Sequence, residues 1–150
     1  MPQSLSKVLV HIIFSTKNRH NFISKEIKDE LCRYISGILK NIKSEPVMIN
    51  GVSDHIHILC TLPRTITQAG LLEEIKKSSS KWIKTKYRSF EKFAWQSGYG
   101  IFSVSSSLIK NVVTYIKNQE EHHKKVTFQE EFILFLKKYN IEYDERYLWD

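Results

Sequence analysis

The fold turns on one stretch, Pro46-Val47-Met48-Ile49-Asn50-Gly51-Val52-Ser53-Asp54-His55-Ile56-His57-Ile58-Leu59-Cys60-Thr61-Leu62. Pro46 to Asn50 reads as a strand. Gly51 to Asp54 has the composition of a turn, and His55 to Leu62 reads as a second strand, so the stretch is a hairpin. Upstream of it, Ser24 can cap a helix running to about Ile42. Ile27, Leu31, Tyr34, Ile35, Ile38, Leu39 and Ile42 recur there at helical spacing. Before that helix, Lys7 to Phe14 is β-rich and apolar on both faces, which suits a central strand. Downstream, Thr67 opens a helix to about Lys86, with Leu71, Leu72, Ile75, Ser79, Trp82 and Ile83 inward. Ile101 to Val104 is a short final strand. The order is β-α-β-β-α-β, a ferredoxin-like or split βαβ pattern. The expected class is α+β: an RRM-like antiparallel sheet with helices on one face.

Further helices follow this core. Ser105 or Ser106 can cap a helix over about 105–123, with Ile109, Val112, Val113 and Ile116 inward. Thr127-x-x-Glu130 is a capping-box pattern opening a last helix and tail, 127–150. Five glycines, three prolines and the absence of a Ser/Gly linker suit one domain over 1–150. Gly98 and Gly100 stand where backbone freedom or a tight turn would help place the helix over 105–123.

Lys and Arg number 23 against 16 acids, a formal charge of +7, which points to a polyanionic partner without saying which. Two cysteines, Cys32 and Cys60, form neither a disulfide framework nor a zinc pattern. Met1-Pro2-Gln3-Ser4 lacks the pattern of a signal peptide, and no apolar run approaches about 18 residues. A cytoplasmic setting without membrane contact is expected.

Two constellations carry chemistry. In a strand, His55 and His57 face the same way and can reach one metal ion, while Ile56 faces the opposite side. Alone, the same pair also suits solvated strand histidines. On a helix, Tyr115 and Gln119 lie one turn apart at the edge of the apolar stripe. Alone, they also suit a boundary aromatic and a solvated amide. Phosphoryl transfer would join the two sets. A phenol of pKa about 10 is a weak nucleophile, and a divalent cation polarising a phosphate oxygen lowers its barrier. Two imidazoles and an amide oxygen suit Mn²⁺, or Mg²⁺ with waters. Lys17, Arg19, Lys76, Lys77, Lys81 and Lys84 are candidate DNA-phosphate contacts, or simply solvated charges. The aromatic stretch Phe90 to Phe102 offers either base-stacking platforms or core. His122 and His123 point about 100° apart on a helix and read as surface histidines.

Taken in order, these residues resemble the HUH-type single-tyrosine transposases of the smallest bacterial insertion sequences. His11-Ile12-Ile13-Phe14-Ser15-Thr16-Lys17-Asn18-Arg19 is similar to that family's opening strand and basic turn. Asp54-His55-Ile56-His57-Ile58-Leu59 resembles its His-hydrophobe-His strand. Trp95 to Val104 resembles the segment before its catalytic helix, and Tyr115-Ile116-Lys117-Asn118-Gln119 the helix motif. Thr127 to Phe132 and Asp144 to Trp149 resemble one branch. Phe14 stands where tryptophan is more usual.

The resemblance implies that Tyr115 attacks single-stranded DNA near a hairpin, forming a 5′-phosphotyrosine link and releasing a 3′-hydroxyl. It implies a divalent metal, Mg²⁺ or Mn²⁺, on His55, His57 and Gln119. It also implies a homodimer whose active sites are shared, so that Tyr115 meets the partner's histidines. Relatives that process chromosomal repeat hairpins share this core. The competing expectations are such a domesticated nuclease, a nuclease using water in place of Tyr115, and a non-catalytic RRM-like binding module. The RRM aromatic signature is absent.

Overall fold

Seven consecutive buried residues, Leu9–Ser15, form strand β1 at the middle of the sheet. The computed structural model describes residues 2–150; of the N-terminal stretch read above, Met1 lies outside it. Strand β2 spans Pro46–Val52, β3 His55–Thr61 and β4 Gly100–Val104. The spatial order is β2-β3-β1-β4, with each neighbouring pair antiparallel. β1 and β2 therefore run parallel with β3 between them, as the split βαβ pattern requires.

Alternation assigns the two faces of the sheet. Val10, Ile12 and Phe14 of β1 and Ile56, Ile58 and Cys60 of β3 enter one core. Helices α1 (Lys25–Asn41) and α2 (Gln68–Lys86) cover that face. The Ser24 hydroxyl accepts from the Ile27 amide to open α1, and Thr67 does the same for Gly70 at the start of α2. Ile56 and Ile58 are wholly buried, worth roughly 1.5–3 kcal/mol each in removed apolar surface. Phe93 and Trp95 also enter this core, and the Trp95 indole donates to Ser79 Oγ at 3.0 Å. Those two aromatics are core rather than a stacking platform.

The opposite face carries His11, Ile13, His55, His57 and Leu59. The C-terminal helices α3 (Ile109–Lys117), α4 (Gln119–His122), α5 (Phe128–Lys138) and α6 (Glu145–Leu148) follow the sheet. Phe128, Phe132 and Leu136 of α5 bury against Ile13 and Phe102 on this second face. The expected helix over 105–123 is thus two helices. Asn118, at φ −94° and ψ 21°, ends the first of them. Its inward stripe is also weaker than expected, because only Ile116 of α3 is fully buried.

No described glycine has positive φ, so Gly98 and Gly100 do not supply left-handed turns. Gly100 is needed for space: a Cβ there would lie 2.8 Å from Phe132. Among the described residues no helix is long and apolar enough to cross a membrane.

Candidate active site

His55 and His57 emerge side by side from β3, with no exposed surface. Each imidazole has one nitrogen occupied behind it. His55 Nδ1 lies 2.7 Å from Asp54 Oδ1, and His57 Nδ1 lies 2.8 Å from His11 Nε2. A third ring joins them from beyond α4. His123 Nδ1 donates to the Val126 carbonyl at 2.6 Å. All three rings consequently aim Nε2 at one point, the Oε1 atom of Glu131. The distances are 3.5 Å from His55, 3.0 Å from His57 and 3.1 Å from His123. His55 Nε2 and His123 Nε2 are 3.0 Å apart. The ligand-type atoms of these four residues all lie within 4.8 Å of one another. Such a donor set, with every ring oriented by an outer partner, fits a divalent metal.

The second carboxylate oxygen of Glu131 faces elsewhere. The Tyr115 hydroxyl donates to Oε2, and His122 Nε2 lies 3.3 Å from the same oxygen. The Tyr115 ring stands 5.9 Å from the His57 ring, centroid to centroid. Within one chain the tyrosine and the histidines thus stand side by side. Asn50 of β2 anchors the helix that carries Tyr115. Its Nδ2 donates to the carbonyls of Ile116 at 2.9 Å and Lys117 at 3.2 Å, which answers the unpaired oxygens at the end of α3. The break at Asn118 follows, and Gln119 turns inward. Its Nε2 donates to the Tyr115 carbonyl at 3.2 Å, and its Oε1 lies 3.4 Å from His55 Nε2. Gln119 is fully buried at the edge of the histidine cage.

Charge is balanced locally. Burial opposes a charged Glu131, but hydrogen bonds from His123, His55 and His57 outweigh it and hold the carboxyl far below its usual range. Burial likewise opposes a charged His55, yet its bonds to Asp54 and Glu131 win and raise its pKa above 6.5. Burial dominates at His57, lowering it to about 4, and at His11, which falls well below its usual value. For Tyr115, burial and then the Glu131 charge push the phenol far up. The phenol is held in its protonated form.

A cavity of about 440 Å³ opens beside this centre, with Tyr115, Glu131, Asn111, Phe135 and Lys138 in its wall.

The basic residues divide. Lys17, Lys77, Lys81 and Lys84 are exposed. Lys77, Lys81 and Lys84 lie on the outer side of α2, across the sheet from Tyr115. Lys76 departs from expectation: its ammonium donates to the carbonyls of Gln96 at 2.8 Å, Ser97 at 3.2 Å and Gly98 at 2.6 Å. Burial lowers its pKa to about 8, yet three carbonyl acceptors favour the charged form at neutral pH. Its role is to hold the segment before β4. Arg19 is half-buried, its guanidinium over the Trp149 ring at 5.8 Å and Nη1 buried with no hydrogen-bond partner among the described residues.

Sequence reading missed His123 and Glu131. The argument that His122 and His123 diverge is correct, but they diverge onto one carboxylate, one from each side. Glu131 did leave a signal. It sits on the apolar stripe of α5 with Phe128, Phe132 and Leu136 and is 2% exposed, and a buried acid needs partners.

Two solved structures share this architecture. A protein of Deinococcus radiodurans R1 assigned as a transposase aligns over 79% of this chain and 98% of its own, at 22% identity and TM-score 0.61. A REP-associated tyrosine transposase bound to a REP hairpin aligns over 84% of this chain and 74% of its own, at 16% identity and TM-score 0.60. At such identities these show the fold. No curated protein matches the chain. Residues 4–119 match the model of the IS200-like transposases, a span that includes His55, His57, Tyr115 and Gln119. On that match the chain belongs to the IS200-like transposase family.

Proposed function

We propose that this transposase cuts and rejoins single-stranded DNA at element ends through Tyr115, at a centre built around His55 and His57. The observation that carries the proposal is the meeting of the Tyr115 hydroxyl and the histidine cage on the two oxygens of one buried carboxylate. Tyr115 Oη forms a bond to phosphorus while the bond from phosphorus to the 3′ oxygen breaks. The proton lost by the phenol balances the one gained by the 3′ oxygen, which leaves as a hydroxyl, and the 5′ phosphate stays on the tyrosine. The linkage keeps the phosphodiester energy, so rejoining by a 3′-hydroxyl needs no nucleotide cofactor.

A divalent metal, Mg²⁺ or Mn²⁺, held by His55 and His57 would supply Lewis-acid polarisation of a non-bridging phosphate oxygen. Asp54 and His11 orient the two imidazoles. Gln119, whose amide oxygen lies 3.4 Å from His55 Nε2, would be a further ligand. Glu131 orients the phenol, and the cavity beside Tyr115 admits the strand. Lys17, Arg19, Lys77, Lys81 and Lys84 are candidate phosphate contacts. A hairpin near the cleavage point is the preferred substrate. The similar structure solved with a REP hairpin supports this, and it equally favours a domesticated enzyme that processes repeat hairpins.

The test mixes the full chain, Mn²⁺ or Mg²⁺ and hairpin-tailed single-stranded DNA, and looks for a denaturation-resistant protein–DNA adduct. The wild type forms it and Tyr115→Phe does not. Cleavage retained by Tyr115→Phe would assign the reaction to a water nucleophile. Binding without cleavage under either metal would make the chain a binding module.

A further inference from the structure

We propose that His123 and Glu131 join His55 and His57 as direct ligands of the metal centre, and that Glu131 links this centre to Tyr115 through its second oxygen. The proposal rests on the metal-dependent reading above and goes beyond it, because both new ligands lie outside the 4–119 span shared with the family.

Four observations carry it. First, the donor spacing is that of a ligand shell. Donors 2.0–2.1 Å from a tetrahedral ion stand about 3.3 Å apart. The measured separations are 3.0 Å between His55 and His123, and 3.0, 3.1 and 3.5 Å from Glu131 Oε1 to His57, His123 and His55. Second, the tautomers are set. Asp54, His11 and Val126 each occupy an Nδ1 and leave an Nε2 directed inward, which is the outer shell of histidine metal sites. Third, the set is buried. His55, His57 and Glu131 are at most 2% exposed, and the His123 side chain is 8% exposed. Fourth, two imidazole nitrogens 3.0 Å apart share at most one proton between them, so His55 and His123 face each other better across a cation than across a hydrogen bond.

The bridge to Tyr115 follows from the carboxylate's two oxygens. Oε1 faces the three rings, while Oε2 takes the phenol and lies 3.3 Å from His122. Glu131 is thereby a ligand and a positioning residue together. Three imidazoles and one carboxylate suit Mn²⁺, Co²⁺ or Zn²⁺ better than Mg²⁺, which prefers oxygen and keeps its waters. Gln119 Oε1, 3.4 Å from His55 Nε2, borders the same shell.

The experiment titrates the full chain with Co²⁺, read by visible absorption, and with Mn²⁺, read by calorimetry. Wild type should give the intense visible bands of low-coordinate cobalt. His123→Ala and Glu131→Gln should each weaken binding at least tenfold and alter the bands, with folding checked by circular dichroism. If either fails to fold, His123→Gln replaces the first and Glu131→Asp the second. The shorter side chain should keep cobalt binding within threefold while lowering adduct formation at least tenfold, because it no longer spans to Tyr115. Wild-type affinity in either His123→Ala or Glu131→Gln would overturn the proposal. Adduct formation without His123 or Glu131 would leave the transposase reading standing and remove these ligands. Tight, variant-sensitive cobalt binding with no adduct would do the reverse.

Discussion

His11 Nε2 lies 2.8 Å from His57 Nδ1, across the pairing of β1 with β3. The contact holds the His57 ring with Nε2 toward the cage and settles which nitrogen is free for a metal. His11→Ala should therefore weaken metal binding about 10–100-fold while leaving the ligands in place. Calorimetric titration of the variant with Mn²⁺ checks this, and affinity within twofold of wild type would sink it.

Asn50 ties β2 to the end of α3. Asn50→Ala removes two donors from the Ile116 and Lys117 carbonyls, at a cost of roughly 1–2 kcal/mol. A thermal midpoint lower by about 2–8 °C is expected for a chain of this length. The rate of adduct formation should fall as well, because Tyr115 rides on the released helix. An unchanged midpoint together with an unchanged rate would contradict the assignment.

Protons and metal compete at His55. Its folded pKa is raised above 6.5, so it stabilises the metal-free fold fully below pH 6.5, and that contribution is lost as pH rises through the folded value. His57, lowered to about 4 by burial, acts in the opposite sense and costs stability as pH falls from about 6.5 toward 4. Metal must displace the His55 proton. Affinity for Mn²⁺ should consequently rise with pH through the His55 transition, with proton release that fades at higher pH. Calorimetry in two buffers of different ionisation heat measures that release directly.

Gly100 leaves no room for a side chain. A Cβ would stand 2.8 Å from Phe132 and 2.9 Å from Phe102. Gly100→Ala should push Phe132, and with it the adjacent Glu131, away from the sheet. A loss of roughly 1–3 kcal/mol is expected, with weakened metal binding at temperatures where the variant remains folded. Wild-type stability by denaturant melt would show that α5 gives way freely.

The lysines of α2 should separate by role. Lys76→Met should lower the thermal midpoint, because it strips three carbonyls of their donor. Replacing Lys77, Lys81 and Lys84 with alanine should leave the midpoint nearly unchanged but flatten the salt dependence of DNA binding by up to about 0.7 per contact on a single strand. Equal behaviour of the two variants in both measurements would remove the distinction.

The sheet was legible because its signals are local. Alternation in His55 to Leu62, the turn at Gly51 to Asp54 and the caps at Ser24 and Thr67 each depend on a few neighbouring residues. The site was legible only in part. His55 and His57 announce themselves by spacing on one strand, and Tyr115 with Gln119 by spacing on one helix. Glu131 and His123 reach the same point only after the chain breaks at Asn118 and folds α5 back across the sheet. No spacing rule encodes that return. What could have been noticed is an acid on the apolar stripe of α5, a local conflict that only a tertiary partner resolves. Lys76 was misread for a related reason: it lies at the flank of its helix, and its three acceptors come from a segment twenty residues away.

The carboxylate of Glu131 has a consequence for how substrate enters. A scissile phosphodiester needs one oxygen toward the histidine cage and its phosphorus beside the tyrosine hydroxyl. In the resting chain those two neighbourhoods are already spanned by a small, planar, singly charged anion covalently tethered to α5. On the proposed reaction, DNA binding is an exchange of one anion for another, not the filling of an empty seat. Strands that fit poorly lose the contest to the tether, and an idle nucleophile stays engaged until a fitting one arrives.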